Sequence, residues 1–218
     1  KSVSINESKA LAILGEWGSG KTFTLSQVKE TLKKIETELV LIDFNPWDKN
    51  QGSSITSNFL EILGEKLSKS NIELARKLKS YSEGISRNDS TGIVKIFNDF
   101  ISHLLPKTVD TANYEEINLT IRRNNKEIVV FIDDVDRLFY TEVMEVLKLI
   151  RTTANFSKIT YVVAFSKSYV VHSIGQFNAY SPNGFLEKIF NAQYALPPSD
   201  EHGLLDILSQ IIRKNPSL

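Results

Sequence analysis

The sequence predicts an α/β protein in which helices cover both faces of a mainly parallel, doubly wound sheet. Three short, nearly continuous apolar runs indicate strands that are buried on both faces: Glu38–Phe44, Glu127–Ile132 and Ile159–Phe165. Segments with helical spacing of apolar residues lie between these runs, and strands that alternate with helices favour a parallel sheet.

Composition narrows the class of protein. The 218 residues can bury the core of one large domain, or of one domain with an inserted lobe. The 26 basic residues balance the 26 acidic residues, so net charge gives no case for nucleic acid or an anionic membrane as partner. The absence of cysteine excludes disulfides and thiolate chemistry and fits a reducing compartment. With no signal-peptide pattern and no apolar run of about 20 residues, we expect a cytoplasmic chain without a transmembrane segment.

Two further strands complete the predicted sheet. Ala10–Leu14 precedes a helix over Lys21–Ile35, and Gln193–Leu196 stands near the other end of the chain. Shorter helices are predicted at 143–150, 169–174 and 184–190, and an amphipathic helix at 204–211.

A long helical stretch separates the second strand from the third. Apolar stripes begin at Phe59, Leu74 and Ile93, and polar connectors are expected at Ser82–Ser90 and Pro106–Asn113. A single helix would be enough to join two parallel strands, so we predict a helical insertion. The expected domains are a core in two parts, 1–54 and 124–198, the insertion at 55–123, and the start of a C-terminal helical region at 199–218. Both termini suggest one domain of a longer protein.

One loop fits the phosphate-binding pattern G-x-x-x-x-G-K-[ST] at every fixed position. It lies between a strand and a helix, where backbone N–H groups and the positive helix end cradle a polyphosphate. In this pattern Lys21 reaches the β- and γ-phosphates, and the Thr22 hydroxyl ligates Mg²⁺. The alternative is a glycine-rich turn that matches by chance. The predicted nucleotide-binding residues are Gly15, Glu16, Trp17, Gly18, Ser19, Gly20, Lys21, Thr22 and Phe23.

An acidic pair, Asp133 and Asp134, ends the third predicted strand. Such a strand presents carboxylates at the carboxyl edge of the sheet, where open α/β sheets bind ligands. We expect Asp133 to hold Mg²⁺ opposite Thr22, and Asp134 to act as general base on the attacking water. Buried strands often end in acidic residues, so this interpretation depends on the pairing with the phosphate loop.

Ser166 follows the fourth predicted strand. The two motifs indicate a P-loop NTPase with sheet order 5-1-4-3-2, in which a polar residue at this point senses the γ-phosphate or orients the water. A hydroxyl can do so by hydrogen bonding, although serine after a strand is also ordinary turn chemistry. Ser166 therefore joins Lys21 and Asp134 in the predicted catalytic set. No guanine-specifying motif follows this strand, so we expect ATP rather than GTP.

With these motifs the chain resembles the KAP family of P-loop NTPases. The resemblance implies ATP binding and hydrolysis by Lys21, Thr22, Asp133 and Asp134. Many family members carry transmembrane helices between the two motifs and often have Asp where this chain has Ser166. Some bacterial relatives exclude phages, and related NTPases act as oligomerising switches. The stretches that carry the resemblance are GEWGSGKT at 15–22, FNPW at 44–47, DDVDR at 133–137, VAFS at 163–166, and FLEKIF at 185–190 before LPP at 196–198.

Several side chains near these motifs have two possible roles. Trp17 could stack on adenine or pack beneath the loop, and the second is favoured; Trp47 is expected to plug the end of the second strand. Arg137 and Arg151 could act as arginine fingers, but a surface salt bridge is favoured for both. The histidines have no metal-ligand spacing.

Three functions remain open. The first is a Mg²⁺-dependent ATPase that drives a conformational or oligomeric switch, through self-association or a protein partner. The second is an ATP-gated scaffold with little hydrolysis, and the third is a DNA-associated ATPase, against which the neutral charge speaks.

Overall fold

A computed structural model describes residues 8–35, 38–48, 54–68, 71–88, 111–123, 126–177 and 181–197. Strands and helices alternate along the described chain as the sequence predicts. In chain order the elements are β1 Lys9–Leu14, α1 Lys21–Ile35, β2 Val40–Phe44, a 3-10 turn Pro46–Asp48, α2 Ile55–Ser68, α3 Ile72–Asn88, α4 Thr111–Arg123, β3 Ile128–Ile132, a 3-10 turn Val135–Arg137, α5 Tyr140–Lys148, a π-helical turn Leu149–Thr153, β4 Ile159–Phe165, α6 Lys167–Gly175, α7 Pro182–Ile189 and β5 Ala192–Ala195.

The five strands form one parallel sheet in the order β2-β3-β4-β1-β5. Counted from the other edge this is 5-1-4-3-2, which confirms the predicted order. Because all strands are parallel, their carboxyl ends lie at one edge of the sheet. The phosphate loop after β1 and the acidic pair after β3 therefore lie at the same edge, on either side of the end of β4.

Alternate residues of the central strands face two apolar layers. In β3, Ile128, Val130 and Ile132 belong to the larger cluster, whereas Val129 and Phe131 belong to the smaller one. This is the side-chain alternation of a strand, applied to a sheet that is covered on both faces. Helix α1 covers the smaller cluster, and most of the remaining helices cover the larger one, which gives three layers.

The helices between β2 and β3 pack into the larger cluster. Phe59 of α2 is fully buried, and its ring centroid lies 5.2 Å from that of Phe44 and 6.0 Å from that of Tyr161. The connector predicted at Ser82–Ser90 is wrong as far as Asn88, because α3 continues to that residue. The stripe of buried residues in α3 extends through Tyr81 to the partly buried Ile85, which gives the helix a reason to continue.

The remaining predictions about helices and domains have different outcomes. Thr111–Asn113, assigned to a connector, begins α4 instead. The stripe that begins at Ile93 and the amphipathic helix at 204–211 lie outside the described residues. The division into domains stays a prediction. None of the helices in the described ranges is long and apolar enough to cross a membrane.

Candidate nucleotide-binding site

The phosphate loop is a tight turn from β1 into α1 that is attached to β4. The Gly15 amide donates to the Phe165 carbonyl at 3.3 Å. Gly18 and Gly20 have φ values of +79° and +87°, a region in which a side chain is strained. A Cβ at Gly15 would lie 2.2 Å from Ser19 Oγ, so no larger residue fits there without a shift. Backbone conformation therefore favours glycine at positions 18 and 20, and contact with the Ser19 side chain favours it at position 15.

Lys21, the first residue of α1, points back into the loop. Its Nζ donates to the carbonyl oxygens of Gly15, at 3.0 Å, and Glu16, at 3.2 Å. It also lies 3.0 Å from Asp136 Oδ2, and the two side chains are only 9% and 4% exposed. The Asp136 oxygen lies off the direction of a hydrogen bond, so this contact is an ion pair. The Lys21 ammonium thus makes two hydrogen bonds to backbone carbonyls and one ion pair.

The acidic pair after β3 has a tightly determined geometry. Asp134 has φ +59° and ψ +26°, a left-handed conformation in which Asp is more common than most residues. Its amide donates to Asp133 Oδ1 at 2.9 Å. Its carboxylate is engaged at both oxygens, by Arg137 Nε at 2.8 Å and by Asn45 Nδ2 at 3.3 Å. The predicted salt bridge of Arg137 is therefore confirmed.

One cleft of about 560 Å³ brings the two motifs together. Lys21 and Thr22 line it from the phosphate loop, and Asp133 and Asp134 line it from the end of β3. The complete lining is Trp17, Gly18, Gly20, Lys21, Thr22, Phe23, Ser26, Asp133, Asp134, Asp136 and Arg137.

The donor set of this cleft fits Mg²⁺ together with a polyphosphate. Mg²⁺ in nucleotide sites takes one or two carboxylates or hydroxyls and completes its octahedron with phosphate oxygens and water. The Thr22 hydroxyl and the Asp133 carboxylate are groups of this kind in one cleft. Within the described ranges, no group of three or more His, Asp or Glu residues could hold a metal ion alone.

Ser166 lies beside this cleft rather than in its lining. The residue is only 4% exposed. Its hydroxyl donates a hydrogen bond to Glu16 Oε2 at 3.1 Å and lies 2.8 Å from Ser168 Oγ. Ser168 in turn donates to Glu16 Oε1 at 3.3 Å. These residues open onto a second cavity of about 420 Å³, and Trp17 and Asp136 line both cavities. Its lining is Glu16, Trp17, Asp136, Ser166, Ser168, Tyr169 and His172.

Two predictions about tryptophan are wrong. Trp17 is 75% exposed and does not pack beneath the loop; Arg137 Cζ lies 5.8 Å from the centroid of its ring. The Lys21 side chain fills the inside of the turn, which leaves Trp17 on the outside. Trp47 is 53% exposed and is not a plug, whereas its neighbour Pro46 is buried.

Sequence reasoning missed the part played by two residues. Asp136 forms the ion pair with Lys21, and Asn45 binds Asp134. Both belong to sequence motifs that carry the family resemblance, DDVDR and FNPW. Their signal is a third acid two residues after the pair, and an amide that follows the neighbouring strand. The distances that give them a role exist only in the folded chain. Arg151 lies half-buried in the π-helical turn after α5, and both its favoured salt bridge and the alternative finger role stay predictions.

The fold and the site define a class of protein. A parallel sheet of order 5-1-4-3-2, a glycine-rich loop before a helix, and acids at the end of the third strand are the parts of a P-loop NTPase. The model of the KAP family P-loop domain matches residues 1–217, and the chain belongs to this family.

Known proteins resemble the chain in sequence and in structure. The phage T7 exclusion protein of Escherichia coli (strain K12) is 24% identical over 228 residues, which cover 88% of this chain and 30% of that protein. The chain thus spans about a third of the length of this relative. Two structures from Aeropyrum pernix each cover 95% of the chain. The first is the ORC2 protein in ADPNP-ADP complexes, with a TM-score of 0.44 and 14% sequence identity, and the match covers 46% of that protein. The second is the ORC1 protein in complex with DNA, with a TM-score of 0.42 and 11% sequence identity, and the match covers 44% of that protein.

Proposed function

We propose that this chain is a Mg²⁺-dependent ATPase domain that acts as a conformational or oligomeric switch in a larger, cytoplasmic protein. The observation that carries the proposal is the single cleft that holds Lys21, Thr22, Asp133 and Asp134. The similarity to a phage exclusion protein supports a role in anti-phage defence. The partner is proposed to be a second copy of the chain or a protein effector.

Each of these residues has a chemical task in the proposed reaction. The Lys21 ammonium binds the β- and γ-phosphates once it leaves its internal acceptors. Thr22 and Asp133 would hold Mg²⁺, which would supply neutralisation of the charge on the phosphate oxygens. Asp134 accepts a proton from the water that attacks the γ-phosphorus while the bond to the bridging oxygen breaks and ADP leaves; Arg137 and Asn45 each occupy only one acceptor site of its carboxylate. Ser166 donates to the γ-phosphate.

A second candidate is a scaffold that binds ATP with little turnover. The observation in its favour is that the proposed base is engaged at both carboxylate oxygens and the proposed sensor is engaged by Glu16. In such a protein these contacts persist when the nucleotide is bound.

ATP hydrolysis with Mg²⁺ over a range of protein concentrations distinguishes the two candidates. The proposed ATPase shows turnover that is lost in Lys21→Ala and retained in Lys33→Ala, which removes an exposed lysine of the same helix. Turnover that rises more than linearly with concentration supports an oligomeric switch. Binding of ATP that depends on Lys21, without turnover at any concentration, overturns the ATPase proposal and favours the scaffold.

A further inference from the structure

We propose that Glu16 and Asp136 are positioning residues that set the affinity of the site for phosphates and its preference for ATP over ADP. Each carboxylate contacts a group that a phosphate has to take over. Asp136 holds the Lys21 ammonium, and Glu16 holds the Ser166 hydroxyl. The inference rests on the proposed function, because it uses the phosphate contacts assigned there.

The ion pair between Asp136 and Lys21 affects the binding of every phosphate group that Lys21 contacts. Lys21 Nζ donates to two carbonyl oxygens and is ion-paired with Asp136, so a phosphate that approaches the ammonium meets a charge that a carboxylate already neutralises. If Asp136 stays in place, two anions share one ammonium in a buried site, where like charges repel more strongly than in water. If it leaves, a buried carboxylate loses its partner. In both cases Asp136 weakens the binding of ATP and of ADP.

The hydrogen bond between Ser166 and Glu16 affects the binding of the γ-phosphate only. A serine hydroxyl can donate one hydrogen bond, and Ser166 donates it to Glu16 Oε2. A γ-phosphate at Ser166 has to displace this carboxylate, whereas ADP has no group that does so. Hydrogen bonds to a carboxylate are about twice as strong as those to a neutral acceptor. Glu16 therefore weakens ATP binding without a matching effect on ADP.

Removal of the two charges is therefore expected to change the affinities for ATP and ADP in different ways. Glu16→Gln keeps the size of the side chain and removes its charge, and we expect it to tighten ATP binding about threefold with ADP unchanged. Asp136→Asn is expected to tighten both nucleotides about tenfold, so that their ratio stays constant.

Calorimetric titration with ATP and with ADP, each with Mg²⁺, tests the inference. Asp43→Asn is the matched control, because it removes one carboxylate from an exposed position on β2 and should change neither affinity. A purely structural role of Glu16 would not move the ratio of the two affinities. In a Ser166→Ala background, where the hydroxyl is gone, Glu16→Gln should lose its effect.

The inference is overturned if Glu16→Gln leaves the ratio unchanged, or if its effect survives in Ser166→Ala. Should Asp136→Asn fail to fold, judged by its thermal unfolding, Asp136→Glu replaces it and is expected to keep the wild-type affinities. Nucleotide binding without hydrolysis would refute the ATPase proposal and leave this inference standing. Normal hydrolysis with an unchanged ratio in Glu16→Gln would refute the inference alone, and a wild-type chain that binds neither nucleotide would refute both.

Discussion

Lys21 and Asp136 form a buried ion pair that joins the first residue of α1 to the turn after β3, with 3.0 Å between Nζ and Oδ2. The pair connects the two halves of the nucleotide site across the sheet edge. Burial of two charges is expensive, so such a pair contributes little net stability, but the loss of one partner leaves an uncompensated charge.

The ion pair predicts a non-additive effect on stability. Lys21→Met should lower the free energy of unfolding by about 3–5 kcal/mol, because Asp136 then lies buried without a counter-charge. Adding Asp136→Asn should restore part of this loss. Urea unfolding of the four proteins in this double-mutant cycle measures the coupling. Lys33→Met, at an exposed position, serves as the control, and losses that simply add would contradict the pair's role.

Asp134→Asn is expected to separate binding from turnover. The amide cannot accept a proton from water, so turnover should fall by a factor of about 10²–10⁴, as for the loss of a general base. The neighbouring Asp133 remains available for the metal, so the affinity for ATP with Mg²⁺ should change little. Steady-state hydrolysis and calorimetric titration of the same preparation measure both effects. Unchanged turnover would remove Asp134 from the proposed mechanism.

Phe59 tests whether α2 is integral to the core of the sheet. Its ring is fully buried between Phe44 and Tyr161, and Phe59→Ala should lower the free energy of unfolding by about 3–5 kcal/mol. Phe139→Ala, at a residue that is 72% exposed, should change it by less than about 0.5 kcal/mol. A small effect at Phe59 in urea unfolding would indicate that α2 folds independently of the sheet.

Tyr161 predicts a loss of stability at alkaline pH. Burial raises the pKa of its phenol well above the ordinary value, and the nearby Tyr114 adds to the effect. In the unfolded chain tyrosine loses its proton near pH 10, whereas the folded chain retains it. The unfolded state then binds fewer protons, so stability is constant below about pH 10 and falls above it, with a slope of up to about 1.4 kcal/mol per pH unit from this residue.

Tyr161→Phe provides the control for the alkaline effect. The variant loses the 2.7 Å hydrogen bond to the Ala154 carbonyl, so its stability at pH 8 should be lower by about 1 kcal/mol. Its unfolding free energy should then depend less on pH between 9 and 11 than that of the wild type. Equal slopes for the two proteins would show that Tyr161 does not cause the alkaline loss.

The strands and the nucleotide motifs could be predicted from the sequence because each depends on neighbouring residues. A strand covered on both faces needs apolar side chains at successive positions, as in Ile128–Ile132, and the loop needs glycine where φ is positive, as at Gly18 and Gly20. The sheet order followed from the class of fold that these motifs indicate. The end of α3 was misplaced because its last turns are polar in sequence, although Ile85 still contacts the core.

By itself the sequence determined the class of fold, the family resemblance and the two motifs that meet at the sheet edge, since these are properties of short segments and their order. The tertiary structure decided which side chains the motifs engage: Asp136 with Lys21, Asn45 with Asp134, Glu16 with Ser166, and Trp17 outside the loop. The two residues of each of these three pairs lie between 89 and 150 positions apart in the sequence. Contacts between distant segments depend on how strands β1, β3 and β4 align in the sheet. A pattern of neighbouring residues does not determine that alignment.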